Sequence, residues 1–376
     1  MTALQHDIDP GGLREFSVVF TDRSLNHMSQ RFQGVMRDIS ATLRQVYGAS
    51  GLAIVPGGGT FGMEAVARQF AQAQDCLVIR NGFFSYRWSQ IFSAGHIPAT
   101  ETVLKAGPAE AGSNPGYAPA PIEKVVATIN ETKPALVFAP HVETASGLIL
   151  PDDYLKAVAD ATHAVGGLFV LDCIASGTVW VDMQALGIDI LISAPQKGWT
   201  STPCAALVLF SPAAEARLEQ TTSTSFAADL KRWRQIVQAY DNGGHAYHAT
   251  MPTDALVQFH ASMREAEAIG FDKLKQAQLE LGRRARALLA AKGFKSLAAE
   301  GFGAPGVIVS YTSDAGIHNS SKFAQHGFQT ASGVPLMCDE PADFRTFRIG
   351  LFGLDKLLNI DATLTALEQA LDKVSS

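Results

Sequence analysis

The chain has 376 residues, 47% hydrophobic and 18% charged, with a formal net charge of −6. That length amounts to about two ordinary domains, and the balance suits a large buried core, which excludes wholesale disorder. The mild acidity, with no basic run, excludes a nucleic-acid footprint.

Phe32, Val35, Met36, Ile39, Leu43 and Val46 stand at helical spacing over 31–47, and Gly48 is the natural stop. Short apolar runs follow at Leu52–Val55, Cys76–Arg80, Ala135–Ala139, Leu168–Leu171, Ile188–Ser193 and Ala205–Phe210. They read as buried strands, and segments 61–74, 84–94, 121–130 and 152–165 read as the helices between most of them. This alternation predicts an α/β fold with a mainly parallel sheet of the seven-stranded type, helices covering both faces. The stretch Gly107–Pro121, rich in Gly, Pro and Ala, reads as a surface loop. Over 211–250 the pattern loosens. A helix is expected at about 254–269, and a second carries Leu274, Leu281, Ala285, Leu288 and Leu289 and ends at Gly293. Strands Val307–Tyr311 and Thr346–Leu351, then a helix with Leu364, Leu367, Leu371 and Val374, complete a smaller C-terminal α/β domain. The expected partition is a large domain over 23–255 and a small one over 256–376. Residues 1–22 form an N-terminal segment associated with the small domain or a dimer interface.

Four cysteines, Cys76, Cys173, Cys204 and Cys338, lie far apart with no C-x-x-C spacing. A disulfide scaffold and an all-cysteine zinc module are excluded. No apolar stretch reaches the roughly 18 residues of a membrane helix. The start, MTALQHDIDPGG, carries no signal-peptide pattern, so a cytoplasmic enzyme is expected.

In open parallel sheets, ligands bind beyond the carboxyl ends of the strands. The first strand is followed by Pro56-Gly57-Gly58-Gly59-Thr60 and a helix, a turn that offers free N–H groups to a phosphate. The next is followed by Asn81-Gly82-Phe83-Phe84, and the third by His141 to Gly147. Asp172 ends the fourth, and Pro195-Gln196-Lys197 follows the fifth. Singly, each has a plain reading: a tight turn, core aromatics, a cap, a solvated lysine. Gly57-x-Gly59-x-x-Gly62 also matches a dinucleotide fingerprint, but Arg80 stands where its acidic partner belongs. His141 and Glu143 have no further ligand spaced to complete a metal site. Together, a phosphate cradle, an aromatic, a strand-end carboxylate and a strand-end lysine suit one ligand, pyridoxal 5'-phosphate. The helix terminus takes the phosphate, the aromatic a ring face, the carboxylate the pyridine nitrogen, and the lysine the aldehyde as a Schiff base.

From about His27 onward the sequence resembles the class V (fold type I) pyridoxal-phosphate aminotransferases, especially the alanine/serine–glyoxylate group. The resemblance rests on Gly58-Gly59-Thr60 with Glu64, Asn81-Gly82-Phe83-Phe84, His141-x-Glu143-Thr144-x-Ser146-Gly147 and Asp172-Cys173-Ile174-Ala175-Ser176. It continues through Ser193-Ala194-Pro195-Gln196-Lys197, Tyr247 to Pro252, and Phe347 to Gly353. It implies that Lys197 forms the Schiff base and moves the proton, and that Asp172 pairs with the pyridinium. Phe84 would stack on one ring face and Ile174 press on the other. Thr144 would reach the phenolic oxygen, and Gly58, Gly59, Thr60 and Gln196 would hold the phosphate. Tyr247 and Thr250 would reach the phosphate in a neighbouring subunit, implying a homodimer with shared sites. Arg348 would grip the substrate carboxylate, and an arginine flanked by apolar residues independently calls for an anion or an internal salt bridge.

The sequence departs from the group at Phe16–Asp22, at Thr202-Pro203-Cys204 and at Pro335–Pro341, all near the expected substrate pocket. The expected reaction moves an amino group from an alanine- or serine-like donor to a 2-oxo acid such as glyoxylate or pyruvate. Two alternatives stay open. One is a cysteine-desulfurase-like lyase using Cys338, a residue only ten positions before Arg348. The other is an NADP-dependent oxidoreductase using the glycine turn with Arg80. Arg345 reads as a reader of a second anionic group or as a solvated surface residue.

Overall fold

The computed structural model describes residues 5–19 and 22–375; residues 1–4, Phe20 and Thr21, which belong to the N-terminal segment and its departure from the family pattern, lie outside the described residues. Ser29 starts the long helix Gln30–Tyr47 by accepting from the Phe32 N–H at 3.1 Å. Gly48 ends it at φ +66°, a left-handed turn that a Cβ would oppose. The stripe Phe32, Met36, Ile39 and Leu43 is buried, as its spacing requires.

Seven strands form the main sheet: β1 (Gly51–Pro56), β2 (Asp75–Arg80), β3 (Thr100–Lys105), β4 (Leu136–Pro140), β5 (Leu168–Asp172), β6 (Ile190–Ser193) and β7 (Ala205–Phe210). Their spatial order is β1-β7-β6-β5-β4-β2-β3. Parallel pairing joins β3 to β2, β2 to β4, β4 to β5 and β5 to β6, whereas β7 runs antiparallel to β1 and β6. Strands β4 to β7 are buried at every residue, which is why they read as unbroken apolar runs. Strand β3 has no such run because it lies at the sheet edge, where only Leu104 is buried.

Two helices occupy the stretch where the pattern loosens, Pro212–Gln220 capped by Ser211 and Leu230–Asp241 capped by Asp229. The second buries Leu230, Trp233, Ile236, Val237 and Tyr240 between charged neighbours. Nor is Gly107–Pro121 wholly a surface loop. Tyr117 is buried, with backbone bonds to Leu297 and Ala299 that clamp the segment to the C-terminal part of the chain.

The C-terminal part holds an antiparallel sheet of β8 (Val307–Tyr311), β9 (Ala331–Ser332) and β10 (Thr346–Gly350), with β10 in the middle. Helices Phe271–Ala291 and Ile360–Ser375 share one apolar cluster with it. A separate large cluster runs through the main sheet. A third joins the two, from Val142, Ala145 and Leu148 to Val309 and Leu336, with Phe83, Phe84 and Phe352 packed on it. In the N-terminal segment, Ile8 packs on the large cluster and its carbonyl accepts from Arg31, while Asn26 Nδ2 donates to Ser17 Oγ at 3.0 Å. No helix among the described residues is long and apolar enough to cross a membrane.

Candidate active site

Every residue expected around the cofactor ring and phosphate within this chain follows or ends a strand on one edge of the main sheet. After β1 the chain turns through Gly57 and Gly58 into the helix Gly59–Phe70, whose first N–H groups have no side-chain cap. Gly59 is dictated by contact: a Cβ there would lie 2.3 Å from Ile174 Cδ1. The phosphate turn and Ile174 are therefore in direct contact, which sets the expected phosphate and ring groups side by side.

Asp172 ends β5 and is buried, and burial pushes its carboxyl up to about 7. Oδ1 accepts from the Ile174 N–H at 2.9 Å, and no salt bridge reaches the carboxylate among the described residues. A buried carboxylate in this state calls for a cationic N–H. Buried polar atoms without hydrogen-bond partners also occur in the segments that carry the expected site residues: both side-chain polar atoms of Asn81, Gln196 Oε1, Ser201 Oγ and Ser146 Oγ. Together with the close-packed glycine turn, they fit pyridoxal phosphate, a group with a ring nitrogen, a phenolic oxygen and a phosphate.

Phe84 rides on the first turn of the helix Phe83–Gly95. Glu143, which in the sequence is a motif residue and a metal candidate with no further ligand, holds that turn. Its carboxylate accepts from Phe84 N at 3.2 Å, Ser85 N at 2.8 Å, Ser85 Oγ at 2.7 Å and Ala145 N at 3.0 Å. Burial pushes Glu143 up against these bonds. The signal in the sequence is a lone glutamate in the mostly apolar and small-residue stretch 141–150. Thr144, next to it, is buried.

Lys197 lies in the turn after β6, with Nζ 5.0 Å from the Phe352 ring centroid. Burial, and then the Arg348 cation, push its amine down. Arg348 sits on the central strand of the small sheet opposite Val309 and Ala331. Its Nε donates to the Ser332 carbonyl at 2.8 Å, and no acidic side chain forms a salt bridge with it among the described residues. The anion it calls for is therefore not an internal carboxylate. Its guanidinium lies 5.6 Å from the Phe84 ring centroid, so the lysine, the ring platform and the arginine meet where the two sheets face.

Tyr247 and Thr250 stand apart. Tyr247 is exposed, its ring packs on His27 at 5.6 Å, and its hydroxyl pairs with Thr250 at 3.3 Å. No hydrogen bond or ring contact joins this pair to the other expected site residues among the described ones.

The open alternatives find poor support. Arg80 is buried, donating to the Met337 carbonyl and Ser89 Oγ with Tyr86 under its guanidinium, so it is committed and not free for a nucleotide phosphate. Cys338 is buried with Sγ against the Arg80 and Leu336 carbonyls, and burial pushes its thiol up to about 12. That is the reverse of a mobile nucleophile. His141 is buried, pairs with Ser176 Oγ at 2.7 Å and is pushed down to about 4 by burial. No group of three or more potential metal ligands exists among the described residues. Arg345 is exposed.

The model of the family "Aminotransferase class-V" matches residues 16–303. The chain is 26% identical over 352 residues to a protein of Synechococcus sp. (strain PCC 6716) named the small subunit of a soluble hydrogenase, covering 92% of this chain and 87% of that one. It is also 26% identical over 267 residues to the L-aspartate–glyoxylate aminotransferase of Paracoccus denitrificans, covering 70% of this chain and 62% of that one. Among solved structures, the alanine–glyoxylate aminotransferase of Nostoc sp. superimposes with a TM-score of 0.77 at 21% identity, covering 93% of this chain and 89% of that one. That likeness shows the fold, and the family model spans most of the sequence. The chain belongs to the class-V aminotransferases, a pyridoxal-phosphate-dependent family.

Proposed function

We propose that the protein transfers the amino group of a small, alanine- or serine-like amino acid to a 2-oxo acid such as glyoxylate or pyruvate. The observation that carries this reading is the meeting of Lys197 with Arg348 between Phe84 and Phe352. One guanidinium without a salt bridge beside one depressed amine suits a substrate with one carboxylate and one reacting Cα. A second acidic group on the donor would need another cation on the substrate side, where Arg80 is committed, Arg345 exposed and Arg87 tied to Thr60. The glyoxylate acceptor is also the one named for the Paracoccus relative.

Pyridoxal phosphate, when bound, supplies the carbonyl that takes the amine and the ring that spreads the charge left at the substrate Cα. Arg348 binds the carboxylate through a planar fork and fixes the orientation of Cα. Lys197, pushed down by burial and by Arg348, would move the proton between the substrate Cα and the cofactor's aldehyde carbon. Asp172 holds a proton at the pyridine nitrogen. Phe84 and Ile174 confine the two ring faces, and Thr144 meets the phenolic oxygen. Gly58, Gly59, Thr60 and Gln196 take the phosphate. Tyr247 and Thr250 reach the phosphate of a second copy, making a cytoplasmic homodimer with shared sites. The working partition is the large domain 23–255, the small domain 256–376 and the segment 1–22.

The test is to mix purified, cofactor-loaded protein with a panel of amino acids and follow its near-visible absorbance. The donor is the amino acid that bleaches it, and the acceptor is the 2-oxo acid that restores it. A spectrum unmoved by every amino acid would sink the proposal.

A further inference from the structure

The helix that carries Phe84 brings a second guanidinium to the site. Arg87 lies one turn beyond Phe84 on the helix Phe83–Gly95. Its Nη1 donates to Thr60 Oγ1 at 2.9 Å, and its guanidinium carbon lies 5.2 Å from the Phe84 ring centroid. Arg348 lies 5.6 Å from that same centroid. Two guanidiniums thus lie close to one ring, one tied to the phosphate turn and one on the small sheet.

Thr60 is the second residue of the helix Gly59–Phe70, so Arg87 stands beside the positive end of that helix. No salt bridge ties Arg87 to a carboxylate among the described residues; Asp172 feels its charge without pairing with it. A cation placed beside a helix N-terminus with no carboxylate partner is repelled unless an anion joins them. The other phosphate candidates, Gly58, Gly59, Thr60 and Gln196, are all neutral, and the helix end supplies only about half a charge. A phosphate near pH 7 carries about −1.5 to −2. One full cation is missing from that set, and Arg87 is the cation in contact with it.

We propose that Arg87 is a phosphate ligand of this site, clamping the cofactor phosphate against Thr60 while Arg348 takes the substrate carboxylate. The proposal rests on the pyridoxal-phosphate reading of the site. It divides the two guanidiniums by role: one fixes the cofactor, the other the substrate. A purely structural Arg87, stacked on Phe84, would support the ring but be indifferent to the phosphate.

The experiment separates these. Cofactor is removed from wild type, Arg87→Gln and Arg87→Lys, and each is titrated with pyridoxal phosphate and with phosphate-free pyridoxal, following tryptophan fluorescence and near-visible absorbance. In Arg87→Gln the Kd for pyridoxal phosphate is expected to rise about 10- to 100-fold, as for loss of a charged hydrogen bond. The Kd for pyridoxal stays unchanged, Arg87→Lys recovers part of the loss, and the thermal midpoints of the cofactor-free proteins match. Equal weakening of both ligands, or no weakening of pyridoxal phosphate, overturns the proposal. If Arg87→Gln fails to fold, Arg87→Lys decides alone: a loss confined to pyridoxal phosphate supports the clamp, and any other result overturns it. A wild type that binds neither ligand, or shows no preference for the phosphorylated one, overturns the cofactor reading underneath and is recognisable as that.

Discussion

Glu143 and Ser85, 58 residues apart, are joined twice: the Glu143 carboxylate accepts from both the Ser85 N–H and the Ser85 hydroxyl, at 2.8 and 2.7 Å. A buried carboxylate here does the work of a helix cap, because the helix begins with Phe83 and its cap residue, Gly82, has no side chain. The ring platform Phe84 is thereby fixed to the turn after β4. Replacing Glu143 with Ala leaves at least two buried N–H groups without acceptors, and a stability loss on the order of 2–4 kcal/mol is expected. Denaturant midpoints of Glu143→Ala and Glu143→Gln check this, with Gln losing less because its amide oxygen still accepts.

Asp172 gives a pH-dependent prediction for the cofactor-free protein. Its folded carboxyl is raised to about 7 by burial, so between its ordinary value of 3.8 and about 7 the folded state binds more protons than the unfolded state. Stability from this group is complete below 3.8 and is lost as pH rises through about 7. Asp172→Asn removes that slope. The variant should match wild type near pH 4 and exceed it at pH 8 by on the order of 2–4 kcal/mol. Glu143 is shifted in the same direction, so the difference between variant and wild type is the quantity to measure. Identical slopes in the two proteins would exclude the assignment.

Lys197→Ala should lower kcat by at least about 10³-fold, the scale of a lost proton-transfer group, with little change in thermal midpoint. Added small amines should restore part of the rate, which a misfolded variant would not show.

Arg348→Lys keeps the charge but loses the fork. The kcat/KM for the amino acid should fall about 10- to 100-fold, mostly through KM. Binding of the cofactor to the free enzyme should be unaffected, which separates Arg348 from Arg87.

Cys338 is sealed and strongly protonated. An alkylating reagent at neutral pH should leave it unmodified in the native enzyme and modify it after unfolding, as read by mass spectrometry. Cys338→Ala should retain transaminase activity within about threefold and release no sulfide from cysteine in excess of wild type. Rapid native labelling coupled to loss of turnover would revive the lyase reading.

Residues at strand ends were legible because strand chemistry is local. An apolar run followed by Gly-Gly-Gly-Thr, by Asp172 or by Gln196-Lys197 marks where a parallel sheet presents its ligand edge. Glu143 and Arg87 were not given their roles, because those roles lie in contacts with Ser85 and Thr60 on other segments. Strand β3 and Tyr117 are not legible for related reasons: the first shows one buried side chain at a sheet edge, and the second is held by backbone bonds to Leu297 and Ala299, far along the chain.

By itself, the sequence determined the α/β alternation, the glycine turn at the head of a helix, and the presence of a strand-end carboxylate, a lysine and an apolar-flanked arginine. These depend on hydrophobic period and local backbone freedom, which neighbouring residues carry. Only the tertiary structure decided that Arg348, from the small sheet, stands near Phe84 and Lys197, that Arg87 meets Thr60, and that Cys338 is closed off. Those are distances between segments far apart in the chain. They are set by the third apolar cluster, which packs the small sheet against the carboxyl edge of the large one.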